Sequence, residues 1–412
     1  MWDEVLDTEH AVVTRTYIEQ WPRRNRPPEK VLIIVVEPDE ETRCRCPQCG
    51  QRGNPVETDV VRWRTLDVHG KRTFLESAVP RIICGEHGKI TAAVPWARHD
   101  DRFSRPFEEF AAWKAAHAAW TRVAQELRVT WEALANIVSR VTADAAAGTD
   151  RLDGLRRIGI DEKSWGKGSG KFLMIVTDHD TSRVAWMGEG RCQDTVRAFF
   201  DALGPGRAGL LTHVSADGAE WIHDVIRDKA PQAKIALDAF HIVKWAGEAV
   251  DDLRRRLAAE LRAAGHDDQA ATLGKGMWAL RKDYRKLSPG QRGSLAVLAA
   301  DNKQMYKGYL IKEQLREAIK VKGEDGKGLL RGMIAWAHRC RIPELKKLAV
   351  TLSRMRDLIY HTLDGGPSNG RAEALNAQVS ALITRARGFR SAAALMNMIH
   401  FVHGGLCPDS PY

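Results

Sequence analysis

The sequence predicts a multidomain chain of α+β and α/β character, with a cysteine-bearing metal module, a helical pair, a mixed sheet and an all-α segment. Three patterns predict it. Cysteines bunch within 44–49 and return at 84; apolar residues recur at three- and four-residue spacing from 106 to 141 and again from 246 to 362; and between 156 and 241 short apolar runs alternate with amphipathic ones. The 412 residues suffice for several domains, and 44% hydrophobic against 28% charged residues excludes a disordered or fibrous chain. The excess of 63 Lys+Arg over 53 Asp+Glu gives a formal net charge of +10 and favours a polyanionic partner, nucleic acid before an anionic membrane. Acids stand in "MWDEVLDTEHAVV" where a secretory signal needs basic residues, and no run nears the ~18 apolar residues of a spanning helix. A cytoplasmic protein with no membrane partner is expected.

"CRCPQCG" supplies Cys46 and Cys49 in C-x-x-C spacing, and "CGEH" supplies Cys84 and His87, with Cys84 35 residues after Cys49. Two such knuckles offer four ligands of the soft kind that close a structural, tetrahedral Zn2+ site. The intervening "VRWRTLDVHGKRTFLESAVPRI" alternates around "HGK" as a β-hairpin does, which brings the knuckles together in the manner of a zinc ribbon. Cys44 is a spare thiol that could replace a ligand. Cys192, Cys340 and Cys407 stand alone and read as ordinary thiols.

From Pro106 the chain turns helical, and "TRVAQELRVTWEALANIVSRV" reads as helix, three-residue turn, helix. Thr121 is the expected cap of the first helix, with Val123, Ala124 and Leu127 inward. Thr130 is the expected cap of the second, with Leu134, Ile137 and Val138 inward. This is the pattern of a helix-turn-helix, whose second helix would present Trp131, Glu132, Asn136 and Arg140 to a DNA major groove. A plain helical hairpin fits the same pattern; a neighbouring zinc ribbon in a basic chain favours DNA.

After "RRIGID" come "KFLMIVTD", "SRVAWMGEG", a helix, "GLLTHVSAD", a helix and "KIALDAFH". Three antiparallel strands followed by helix, strand, helix, strand is the chain order of the ribonuclease-H-like fold, a mixed sheet. Asp161 closes the first strand, Asp217 the fourth and Asp238 the fifth. The first and fourth strands are neighbours in that fold, so their carboxylates converge, and like charges so placed call for a divalent cation. A third acid is best sought in "GGPSNGRAEALNAQVSALITRARGFRS", where Asn369 and Gly370 open a helix carrying Glu373 and Asn376 on one face, followed by Arg385, Arg387 and Arg390. Glu162 points to the opposite face of its strand from Asp161 and reads as structural or DNA-facing.

The stretches "IGIDEKSWGKGSGKFLMIVTDHDTSRVAWMGEGR", "VSADGAEW", "LDAFHIVKW" and "SNGRAEALNAQVSALITRARGFR", with the preceding ribbon and helical pair, resemble bacterial insertion-sequence transposases of the ISL-three family over nearly the whole chain. The resemblance implies a DDE transposase of a mobile element. Three carboxylates would hold Mg2+ (or Mn2+) ions, cut double-stranded DNA at the terminal inverted repeats and join the freed 3′-hydroxyl to a target. It implies Asp161, Asp217 and Glu373 as the catalytic acids and metal ligands. Asp238, His241 and Asn376 would support them without holding metal, and Trp131, Asn136, Arg140, Arg385, Arg387 and Arg390 would face DNA. The second knuckle departs from the family in ending on His87 where a cysteine is expected. Synapsis of two ends implies a homodimer when DNA is bound, in the bacterial nucleoid.

The 130 or so residues between His241 and Glu373 are helical in pattern and too long for a loop, so they read as an all-α insertion whose Lys and Arg faces would clamp DNA or a second subunit. Trp278 and Trp336 are expected in its core, and "KGEDGKG" at 322–328 is its clearest flexible turn. The expected domains are a zinc-ribbon DNA-binding domain over 1–100, the helix-turn-helix over 101–150, the first part of the catalytic domain over 151–245, the helical insertion over 246–362, and the last part of the catalytic domain with the third acid over 363–412. Two other functions fit the same residues: an inactive transposase-derived DNA-binding regulator, and a nuclease or resolvase that cleaves without joining.

Overall fold

The computed structural model describes residues 10–24, 26–166, 170–366 and 370–408. The chain divides into two compact units, one of residues 1–147 with 384–412 and one of 148–383. The sequence grouping kept 363–412 together, whereas the described chain changes unit near Thr384.

The first unit is built on long strands: β1 (Ala11–Arg23), β2 (Arg26–Pro38), β3 (Asn54–Val68), β4 (Lys71–Cys84) and β5 (Gly88–Thr91). They lie in the order β1-β2-β4-β3, with β5 on β4; β2 and β4 run parallel and the other pairs antiparallel. The expected hairpin is β3–β4. His69 and Gly70 turn it with φ of 47° and 73°, the left-handed pair that matches strand twist in a two-residue turn. Ile34, Val36, Leu75 and Ile82 pack with Trp63 and Trp96, whose rings meet edge to face at 5.6 Å.

Three helices follow: α1 (Arg105–His117), α2 (Trp120–Leu127) and α3 (Trp131–Ala146). The hydroxyl of Thr130 accepts from the Ala133 amide at 3.0 Å, the expected cap of α3. Thr121 caps nothing, because α2 starts a residue earlier. The reason is Trp120, whose buried indole donates to the Ala115 carbonyl at 3.1 Å and fixes the helix start at itself. The inward residues of both helices are buried as the periodicity predicts. The helix Ala392–His403 packs on α3 and α1 in this unit.

The second unit holds β6 (Arg157–Ser164), β7 (Phe172–Asp178), β8 (Arg183–Glu189), β9 (His213–Ala216) and β10 (Lys234–Leu237), in the order β10-β9-β6-β7-β8. The first three in chain order pair antiparallel, and β9 and β10 join in parallel, β9 beside β6. Helices α4 (Gln193–Leu203) and α5 (Glu220–Lys229) cover the sheet, burying Phe199, Ile222 and Ile226 against Ile158, Met174 and Val214. From α6 (Ala239–Ala263) the chain is helical: α7 (Asp267–Lys275), α8 (Met277–Arg281), α9 (Pro289–Asp301), α10 (Lys303–Val321), α11 (Gly323–Arg339), α12 (Pro343–Arg354) and α13 (Arg356–Leu363), then α14 (Gly370–Arg385). Ile242, Leu253, Ile311, Leu330 and Leu345 share the core of this segment.

Two expectations fail in the helical segment. "KGEDGKG" is no loose turn: only Lys322 and Gly323 have left-handed φ, and α11 starts there with Glu324 and Asp325 at its electropositive end. Gly326 explains the packing, since a Cβ there would sit 2.7 Å from the Ala318 carbonyl of α10. Trp278 is 60% exposed rather than core, while Trp336 is half-buried against it.

Candidate functional site

In the second unit the sheet brings the acids to one edge. Parallel pairing of Arg157–Gly159 with His213–Ser215 puts β6 beside β9, so Asp161 continues past the point where β9 gives way to Asp217; Asp238 follows β10 in the same sense. Burial pushes the Asp161 carboxyl above its ordinary range. The Glu162 amide, 2.7 Å from Oδ1, and the charge of His241 oppose this, whereas Asp238 and Asp217 reinforce it. The Asn376 amide donates to the other Asp161 oxygen. Asn376 belongs to α14, which is fastened to β6 again where Lys163 bonds Ser380, whose hydroxyl donates to the Asn376 carbonyl at 2.7 Å.

Asp217 and Asp238 each bend the chain as it leaves a strand. Asp217 Oδ1 accepts from the Ala219 amide at 3.0 Å, and Asp238 Oδ1 from the Phe240 amide at 2.9 Å, capping α6. The buried His223 ring donates to the Asp217 carbonyl at 2.8 Å. Gly218 is required here: a Cβ would lie 2.3 Å from the Trp245 ring. His241 Nδ1 stands 3.2 Å from Asp238 Oδ2; that bond raises its pKa above the usual imidazole value, against burial and with help from the charges of Asp238, Asp217 and Asp161. The Asp161, Asp217 and Asp238 oxygens do not all close within 4.8 Å of one another, as a preformed metal cage would. Three carboxylates against one imidazole nevertheless leave an excess of negative charge at a half-buried site, which fits a divalent cation. Glu373 occupies the first turn of α14, and its side chain lies outside the described residues.

In the first unit Cys46, Cys49, Cys84 and His87 gather their ligand atoms within 4.8 Å. Cys49 Sγ is 3.5 Å from Cys84 Sγ, and His87 Nδ1 is 3.7 Å from both Cys46 and Cys84. Zn–S and Zn–N bonds of about 2.3 and 2.0 Å give tetrahedral edges of about 3.5–3.8 Å, so the set fits Zn2+ as it stands. Each knuckle has its own turn: the Gly50 amide donates to the Cys46 carbonyl at 2.9 Å with φ of 71° at the glycine, and Cys84 pairs with Gly88 as β4 turns into β5. Amide donors at Glu86 and His87 bring the Cys84 thiol down to about 6, which favours the thiolate that binds metal. Cys44 is buried beside the knuckle and outside the ligand group.

The helix-turn-helix is held from behind. Arg128 turns the chain with φ of 57°, and its guanidinium bonds Asp67 and the Gly70 carbonyl at 3.0 Å, with Glu29 at 3.4 Å. On α3, Asn136 is exposed. Arg140 departs from the sequence reading: its Nε lies 2.7 Å from Asp101 and 2.9 Å from Glu108, a fully buried acid that also binds Arg98. Trp131 is half-buried, with its ring 5.1 Å from that of Trp120 and the Arg390 guanidinium 5.1 Å over it. Arg390 also pairs with Glu132 at 2.5 Å, whereas Arg385 and Arg387 are exposed.

Family comparisons match three consecutive regions. Residues 42–87 match the zinc-finger of transposase IS204/IS1001/IS1096/IS1165, residues 92–142 the helix-turn-helix domain of transposase family ISL3, and residues 158–399, more than half the chain, a transposase domain of the same family. The chain belongs to the ISL3 family of insertion-sequence transposases. The transposase for insertion sequence element IS1557 of Mycobacterium tuberculosis is 38% identical over 401 residues, covering 92% of this chain and 90% of that protein. The transposase for insertion sequence element IS1001 of Bordetella parapertussis is 27% identical over 305 residues, 72% of each.

Of this ISL3 transposase's expected site residues, the sheet edge gathers Asp161, Asp217, Asp238 and His241, and α14 adds Asn376. Sequence reasoning read one neighbour, Glu162, as structural or DNA-facing and missed two others. Glu162, on the strand face opposite Asp161, is nearly buried and pairs with Arg191; burial raises its pKa, Arg191 opposes, and the charges of Asp217 and Asp161 reinforce the rise. Lys163 and His223 were unread, and only their nearness in sequence to Asp161 and Asp217 could have flagged them. No helix among the described residues is long and apolar enough to cross a membrane.

Proposed function

We propose that this ISL3 transposase is a DDE enzyme that binds the terminal inverted repeats of its element and catalyses metal-dependent cleavage and strand transfer. The observation that carries the reading is the convergence of Asp161 and Asp217: β6 does not end at Asp161 as the sequence suggested but runs on to Ser164, and Asp161 lies on it beside the end of β9, where Asp217 follows, with α14 tied to Asp161 through Asn376. Glu373 lies three residues before Asn376, about 4.5 Å along the helix axis, which supports it as the third acid. The strand order supports a ribonuclease-H-like domain over 151–245, completed by α14 after a helical insertion over 246–362, and preceded by a zinc ribbon over 1–100 and a helix-turn-helix over 101–150.

Asp161, Asp217 and Glu373 would hold two Mg2+ ions, which stabilise the attacking and leaving oxygens of an in-line displacement at phosphorus. Asn376 keeps the Asp161 carboxylate oriented. His241, oriented by Asp238, places positive charge beside the acids and offsets part of their repulsion. The ribbon, holding Zn2+ on Cys46, Cys49, Cys84 and His87, and the helix-turn-helix supply end binding. Asn136, Arg385 and Arg387 are its exposed DNA-facing residues, and Arg390 with Trp131 shapes the start of α3. Bringing two ends together implies a homodimer on DNA, and a substrate of chromosomal DNA implies the cytoplasmic nucleoid. The test is incubation with DNA carrying the element's ends and Mg2+ or Mn2+, beside Asp161→Asn. Joined product that disappears in the variant supports the reading, and cleavage of equal extent by the variant removes Asp161 from the site.

A further inference from the structure

A cleft of about 920 Å³ opens in the second unit next to the acids. It starts at Ala239 and Phe240, the two residues after Asp238, runs along α6 to Arg255, and is closed by the segment after α8 and by α10. Its lining carries seven basic side chains against four acidic ones. The pairing leaves a surplus: the buried Asp251 alone receives Arg254 at 2.9 Å, Arg255 at 2.6 Å and Arg281 at 3.3 Å. Lys312, only 1% exposed, adds a cation to the floor, where it donates to the Lys282 carbonyl at 3.0 Å and pairs with Glu313. At the mouth stands Phe240, 58% exposed and edge-on to His241 at 5.7 Å. More than half of this apolar side chain is left in water at the head of the cleft.

We propose that this cleft binds single-stranded DNA, one or two nucleotides of the strand that continues past the cleaved phosphate, with a base on Phe240 and phosphates toward Lys244 and Lys320. The inference rests on the carboxylate site proposed above, which puts the scissile phosphate within a residue or two of the cleft's mouth. The volume lies in the range that encloses a small ligand and is far too small for a duplex. An aromatic platform at the head of a cationic groove is the combination that holds single strands without regard to sequence. Such a site would keep the freed strand end near the acids between cleavage and joining.

The test uses the full-length, zinc-loaded Asp161→Asn protein, so that no cleavage intervenes, with fluorescent end DNA either blunt at the cleavage point or extended by a few single-stranded nucleotides. The extension is expected to tighten binding roughly tenfold, and Phe240→Ala to abolish that gain while blunt-end binding stays unchanged. Lys244→Glu with Lys320→Glu, both on the exposed rim, is expected to do the same and to flatten the salt dependence of the extended DNA by about two phosphates. An extension that gives no gain, a gain kept by both variants, or an equal loss on blunt DNA would each overturn the proposal. Because the readout is binding, a failure of the carboxylate reading shows separately, as cleavage surviving in Asp161→Asn.

Discussion

Replacing Arg140 with alanine separates a DNA-reading residue from a structural brace. Glu108 is fully buried on α1, and its carboxylate meets Arg140 and Arg98; Arg140 also meets Asp101. Breaking a buried ion pair by removing one partner costs about 3–5 kcal/mol, because the remaining charge stays desolvated. Here the loss is smaller, since the Arg140 side chain is 33% exposed and Arg98 remains on Glu108. About 2 kcal/mol is a reasonable figure for the difference, and at roughly 2–4 °C per kcal/mol for a unit of this length the melting temperature should fall by about 4–8 °C. Arg140→Lys, which keeps the charge but loses the planar fork, should fall between. The assay is thermal unfolding followed by tryptophan fluorescence, paired with end-DNA binding measured well below the transition. An unchanged melting temperature together with lost end binding would refute the brace and return Arg140 to the groove.

The remaining expectations concern chemistry, metal and pH. Asp217→Asn and Glu373→Gln should each lower cleavage by at least about a hundredfold without weakening end binding, read by product gels beside a mobility shift; normal cleavage by either frees that residue of the role. Cys84→Ser should lose about one zinc per chain by metal analysis and weaken end binding, whereas Cys44→Ser should keep both; zinc lost from the Cys44 variant would rewrite the ligand set. Glu29→Gln tests acid stability. Burial raises the Glu29 pKa, but Arg72 and Arg23 outweigh it and hold the carboxyl below its usual 4.5. A lowered pKa gives stability that is present above that value and is lost as pH falls through the folded one. The glutamine variant should therefore be less stable near neutrality and show a shallower acid limb, and identical acid curves would show that the cluster contributes nothing.

Much of this layout was legible because the decisive signals were local. Asp161, Asp217 and Asp238 each end a short apolar run, so the pattern that identifies the strand also identifies the acid, and parallel pairing then brings the three together. The zinc ligands announce themselves by spacing, and the β3–β4 hairpin by "HGK". What stayed hidden depends on partners far along the chain. Nothing near Arg140 reveals that Glu108 and Asp101 wait for it. The run "VLIIVV" marks β2 as a strand but not its parallel pairing with β4, and nothing marks β1 as its hairpin partner. Trp131 reads as a surface residue until Arg390 arrives from the far end of the chain. Strand alternation did place Glu162 on the face opposite Asp161, but its partner Arg191, nearly thirty residues on, could not be read from it.

The same distinction changes what a net charge of +10 means. Basic residues here are drawn in groups onto single buried acids: Arg23, Arg72 and Arg128 onto Glu29, Arg98 and Arg140 onto Glu108, and three arginines onto Asp251. Each group leaves a local positive surplus but commits its guanidiniums to fixed directions, since an arginine holding a buried carboxylate cannot swing to follow a phosphate. Formal charge therefore overstates the mobile basic surface that nucleic acid would meet. The exposed lysines and arginines outside these clusters, Arg385 and Arg387 among them, carry the part of the charge that is free to respond to salt. Binding to DNA should accordingly weaken with salt less steeply than the count of basic residues suggests.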